Sequence, residues 1–137
     1  MNFGTIDRMM LFGKGQAMTD FILKYRDQFD IITVIGLKHS TSKVEFEGKE
    51  ITLSEFLDKN GFKYIITEEI KDNDEVKSYI TKSTLGMSFG SIWIFKEDFI
   101  DLFGLKLLNI HGSKLPQDRG ELWFPGLFYG TSDLVTV

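Results

Sequence analysis

The sequence predicts an α/β fold in which helices cover both faces of a mainly parallel sheet. Strand patterns and helix patterns alternate along the chain, as parallel strands require, because each must be followed by a crossover that returns the chain to the same edge. The strand candidates are short apolar runs that end in Gly or polar residues. Most of the intervening stretches read as helices with a single apolar face. No repeat, linker or low-complexity stretch interrupts the pattern, so residues 1–137 form one domain.

The first strand reads from Arg8 to Phe12. Gly13 and Gly15 turn it into a helix whose Phe21, Ile22, Tyr25 and Phe29 form one stripe. Ile31 to Ile35 is a buried strand ended by Gly36. The polar stretch Leu37 to Lys49 contains Val44 and Phe46 in alternation before Glu47-Gly48-Lys49, which indicates a short hairpin or a surface excursion. Thr52 with Glu55 makes a capping box for a helix that Gly61 terminates. Tyr64 to Thr67 is the third core strand, and Asp72 to Asp74 cap a helix that turns Val76, Tyr79 and Ile80 inward. Thr84 to Phe89 is the fourth strand, Lys96 to Phe103 a helix stopped by Gly104, and Lys106 to Ile110 the fifth strand.

Composition narrows the function. A chain of 137 residues with 42% hydrophobic content can bury a sizeable core. A net charge of -4 and a pI near 5.2, with basic residues scattered, argue against nucleic acid as a partner. There is no cysteine, so neither a disulfide framework nor a thiolate nucleophile is available, and His39 and His111 alone make a protein-built zinc site improbable. No apolar run approaches a membrane span. A soluble, cytoplasmic protein without a membrane partner is expected.

In an open sheet of this kind ligands sit at the carboxyl ends of the strands, where Gly13 to Gln16, Gly86 to Phe95 and Asn109 to Ser113 all fall. The Gly13-Lys14-Gly15 loop is either a bare tight turn or an anion contact at a helix start. It lacks the ending of a Walker loop and the third Gly of a dinucleotide fingerprint, and Gly36 and Lys38 stand where a ribose-binding acid is expected. Nicotinamide binding is therefore disfavoured. At the last strand, Asn109 and His111 share one face at period two. A carboxamide can donate to a developing oxyanion, and an imidazole beside it can move a proton near neutral pH.

The segment Leu108-Asn109-Ile110-His111-Gly112-Ser113-Lys114-Leu115-Pro116, closed by Arg119-Gly120, resembles the signature of the 10-formyltetrahydrofolate-dependent formyltransferases. Ser88 to Ile100 resembles the loop and helix that precede that signature, most closely in the sugar N-formyltransferases. The likeness is specific from Leu85 to Gly120, weaker from Arg8 onwards, and fades after Gly120. It implies a Rossmann-like formyltransferase fold, incomplete at its C-terminus. The implied activity is transfer of a formyl group from 10-formyltetrahydrofolate to the amine of a nucleotide-linked amino sugar.

The resemblance also implies roles for individual residues. Asn109 would donate to the oxyanion and His111 would handle the proton. Main-chain groups around Trp93, Ile94 and Phe95 would hold the pterin, although Trp93, Phe95 and Phe99 also read as ordinary core aromatics. Gly13, Lys14, Gly15 and Arg119 would contact substrate, with Arg119 equally readable as a solvated partner of Asp118. Ser113 reads as a local main-chain contact, and Pro116 and Gly120 as structural. The family's third catalytic residue, a downstream aspartate, has no counterpart, since the surroundings of Asp133 do not resemble that loop. Further strands would be missing with it, leaving an apolar sheet flank through which the chain would associate with a second copy. Two other readings stay open: a non-catalytic folate or nucleotide-sugar binding remnant, and a formyltransferase acting on methionyl-tRNA or a phosphorylated ribosyl glycinamide.

Overall fold

The computed structural model describes residues 6–90, 93–103 and 107–110, together with the backbone of 134–135. The first strand, β1 (Arg8–Gly13), is buried from Met9 onward. Its alternation sends Met9 and Leu11 into one apolar cluster and Met10 and Phe12 into another on the opposite face. A strand buried on both faces in this way is what a parallel sheet needs.

Helix α1 (Gln16–Tyr25) leads to β2 (Asp30–Ile35), and α2 (Leu53–Lys59) leads to β5 (Lys63–Ile66). Both helices pack on the Met9 and Leu11 face, through Phe21 and Ile22 of α1 and Phe56 and Leu57 of α2. Helices α3 (Asp74–Ser78) and α4 (Glu97–Ile100) flank β6 (Thr84–Phe89) and lie on the Met10 and Phe12 face, through Val76 and Phe99. The last parallel strand is β7 (Leu107–Ile110). The strand order β5-β2-β1-β6-β7 is parallel throughout, so the chain builds outward from β1 in one direction and then crosses over to build in the other. The crossing leaves a switch point between β1 and β6, with helices on both faces as the sequence predicts.

Between β2 and α2 lies a hairpin of β3 (Lys43–Phe46) and β4 (Lys49–Thr52). Glu47 and Gly48 turn it with φ of 54° and 79°, the positive values that a two-residue turn of the primed type requires. The capping box at the start of α2 is present in both directions between Thr52 and Glu55.

Several boundaries differ from expectation for local reasons. The strand expected over Tyr64 to Thr67 ends at Ile66, because the Thr67 hydroxyl turns to the main chain of Glu69. Helix α3 is capped by Asn73 and is short, with Tyr79 already at its C-cap. Beyond Ile100, Leu102 and Phe103 donate to Phe99 and Ile100 in tighter turns, so α4 stops before the expected Phe103. Gly104 and Lys106 lie outside the described residues.

The sheet continues beyond the fifth strand by one short element. There β8 (Leu134–Val135) pairs antiparallel with Leu107 and Leu108, a strand too short for any periodicity to announce. Among the described residues, no helix is long and apolar enough to cross a membrane, and no group of three or more His, Cys, Asp or Glu could hold a metal ion.

Candidate functional site

At the switch point the exits of β1 and β6 come into backbone contact. Gly13 has φ 135°, and a Cβ there would run into the Phe89 carbonyl. The next residue uses that carbonyl, as Lys14 N–H donates to Phe89 O at 3.1 Å. Gly13 is therefore demanded by close packing. Gly15 differs: it caps α1 with φ 100° and open space around its Cα, no side chain caps the helix, and no acidic residue stands in its first turn.

Asn109 sits at the carboxyl end of β7, half-buried and level with Ser88 of β6. The register extends that row through Phe12 of β1 to Val34 of β2 and Ile65 of β5. Phe12, Val34 and Ile65 belong to the cluster on the α3 and α4 face, so the pleat places Asn109 on that face, at the mouth beyond the buried Leu107. His111, Ser113, Pro116, Arg119 and Gly120 lie outside the described residues.

Phe12 is the centre around which the loop after β6 folds. Its ring meets those of Trp93, Phe95, Phe99 and Phe103 edge-on, at centroid separations of 6.2, 5.3, 6.0 and 6.3 Å. Phe95 is 6% exposed and Ile94 is 75% exposed, so the core takes the first side chain and the rim presents the second. Trp93 is half-buried, and its Nε1–H donates to the main-chain oxygen of Glu68 at 3.1 Å. That bond ties the β6 exit to the β5 exit, past the ends of β1 and β2.

Two rim residues escaped the sequence reading. Glu68 follows β5, and its Oε2 accepts the Leu37 N–H at 2.8 Å, which pins the turn Leu37–His39 after β2. His39 closes that turn with a buried Nδ1 that has no hydrogen-bond partner. Burial holds its imidazole below the ordinary range, the positive charges of Lys14 and Lys38 lower it further, and Glu68 partly opposes them. The signal for His39 is faint, a polar residue just past a buried strand. A separate open groove of about 270 Å³ is lined by Lys71, Asp72, Lys77, Asp98, Phe99 and Leu102 and includes none of the expected site residues.

No family model matches the sequence, and no curated protein matches it. Among solved structures, the chain is similar to WlaRD, described as a sugar 3N-formyl transferase in the presence of dTDP and 5-N-formyl-THF. The TM-score is 0.50 and the identity 23%, over 79% of this chain and 36% of that one. At this identity the likeness establishes architecture: the chain has the Rossmann-like α/β fold of that formyltransferase and spans 36% of its length.

Proposed function

We propose that this chain carries part of an N-formyltransferase site that moves the formyl group of 10-formyltetrahydrofolate to the amine of a nucleotide-linked amino sugar. The observation that carries the reading is Asn109, a half-buried carboxamide at the carboxyl end of β7, one strand from the switch point of a sheet whose architecture matches a formyltransferase. A strand in a packed sheet fixes where the Asn109 side chain leaves the backbone before substrate arrives, and such fixed placement of a donor is what stabilising a developing oxyanion requires.

In this reading the amine nitrogen attacks the formyl carbon, and the carbonyl oxygen becomes an oxyanion that accepts from Asn109. The bond from that carbon to N10 of the folate then breaks. His111 carries the proton lost by the attacking amine to the departing N10, so the products are the formamide and tetrahydrofolate. The main chain around Trp93, Ile94 and Phe95 would meet the pterin, since the side chain of Phe95 is committed to the core. Gly13, Lys14, Gly15 and Arg119 would meet the substrate.

The test is formyl transfer from 10-formyltetrahydrofolate to a panel of nucleotide-linked amino sugars, with calorimetric binding of folate and sugar nucleotide on the same sample. Turnover that falls about 10² to 10³ fold in Asn109→Ala, with the fold retained, supports the reading. Saturable binding without turnover marks a binding protein. The absence of both transfer and binding overturns the proposal.

A further inference from the structure

The exits of β1 and β2 stand side by side. Their register pairs Phe12 with Val34, and beyond those exits Lys14 lies near enough to the turn Leu37–His39 for its charge to act on the His39 imidazole. Lys14 and Lys38 are exposed there, and His39 is half-buried. The His39 Nδ1 is enclosed and lacks a partner. A buried N–H without an acceptor costs more than a buried lone pair, so the neutral ring carries its proton on Nε2, as a donor. The first turn of α1, next to Lys14, contributes no acid. Glu68 is the carboxylate that opposes the cluster, and one of its oxygens is engaged by Leu37 N–H.

The result is a local excess of positive charge in a chain of net charge -4. Two ammonium groups that suppress protonation of a third base repel one another, and a multiply charged anion among them would relieve that repulsion. Lysines on flexible stems suit phosphate oxygens as point charges, and an outward imidazole N–H adds a directed donor.

We propose that Lys14, Lys38 and His39 form a subsite at the β1 and β2 exits that binds the diphosphate of a nucleotide-linked substrate. The choice of ligand rests on the function proposed above; the anion-binding chemistry does not. Lys38 and His39 would distinguish phosphorylated from unphosphorylated substrates, leaving Asn109 to the reacting formyl group.

The test is proton NMR of the imidazoles across a pH series, with and without inorganic pyrophosphate. His39 and His111 are the two histidines of the sequence, and His39→Gln tells them apart. Pyrophosphate should move the His39 midpoint to higher pH, because the anion favours the protonated ring. Uridine diphosphate should do the same and uridine should not. His39→Gln and Lys38→Ala should each weaken calorimetric pyrophosphate binding about tenfold, the loss expected for one charge-assisted hydrogen bond. An unmoved His39 midpoint, or unchanged affinity in both variants, overturns the subsite. Formyl transfer without the His39 shift removes this inference and leaves the proposed activity standing. The shift without transfer supports the subsite and counts against the activity.

Discussion

The carboxamide of Gln16 pairs with both main-chain groups of Glu45: Nε2 donates to the carbonyl at 3.0 Å, and Oε1 accepts the N–H at 2.8 Å. Glu45 lies opposite Glu50 in the hairpin, one pair in from the turn pair Phe46 and Lys49. In a two-residue hairpin the pair next to the turn is hydrogen-bonded and the following one is not, so the groups of Glu45 point to the free edge of β3. Gln16 occupies that edge as a strand would, and fastens the hairpin to the first turn of α1.

Gln16→Ala should therefore loosen the hairpin more than the fold. The two bonds are exposed, which puts the loss near the low end of about 0.5–1.5 kcal/mol for each. Urea unfolding gives the stability change, and amide hydrogen exchange should show Glu45 losing protection. Unaltered exchange at Glu45 would mean that the pairing does not persist in solution.

The two glycines of the first loop should respond unequally to alanine. In Gly13→Ala the new methyl meets the Phe89 carbonyl in addition to the positive φ, whereas Gly15→Ala meets open space and bears only the backbone strain. Strain of that kind costs about 1–3 kcal/mol, so Gly15→Ala should fall within that range and Gly13→Ala above it. Equal shifts in thermal midpoint would contradict the close approach of β1 and β6.

Phe95 and Ile94 make a second unequal pair. Phe95→Ala removes a ring from the cluster around Phe12 and should cost about 3–5 kcal/mol. Ile94→Ala, at a residue 75% exposed, should stay within about 0.5 kcal/mol. If the rim main chain meets a pterin, Ile94→Ala should leave folate affinity nearly unchanged as well. Chemical denaturation and calorimetry together check both statements.

The capping box carries a pH signature. Glu55 is held below its ordinary range first by the hydrogen bond from the Thr52 main chain, then by that from the Thr52 hydroxyl. A depressed carboxyl contributes stability above its unfolded pKa and loses that contribution as pH falls through its folded pKa. The α2 region should therefore loosen in the acidic range just below the usual glutamate titration. In Thr52→Ala the Glu55 midpoint, followed by NMR, should rise toward its ordinary value, and the lost cap should cost about 1 kcal/mol. An unchanged midpoint would remove the hydroxyl from the account.

Much of the site's scaffold was legible because it is local. The apolar run of Met9 to Phe12, the stripe of α1, the capping box and the Glu47-Gly48 turn each depend on residues within a few positions of one another, where period and backbone preference act directly. The same logic placed Asn109 at the end of a strand before any neighbour of that strand was known.

What the tertiary structure decided is which distant residues meet. Gln16 and Glu45 are 29 positions apart, and Trp93 reaches the main chain of Glu68 across 25. The charge of Lys14 reaches His39 only because β1 and β2 are neighbours in the sheet, and the two-residue β8 exists only because β7 offers it an edge. A sequence pattern records how each residue treats its own helix or strand. It does not record which strand lies alongside, because that choice is made by the burial of all the strands at once. By itself the sequence determined the elements, their order and the polar residues at the strand ends; the packing of the sheet chose which of those residues share a rim.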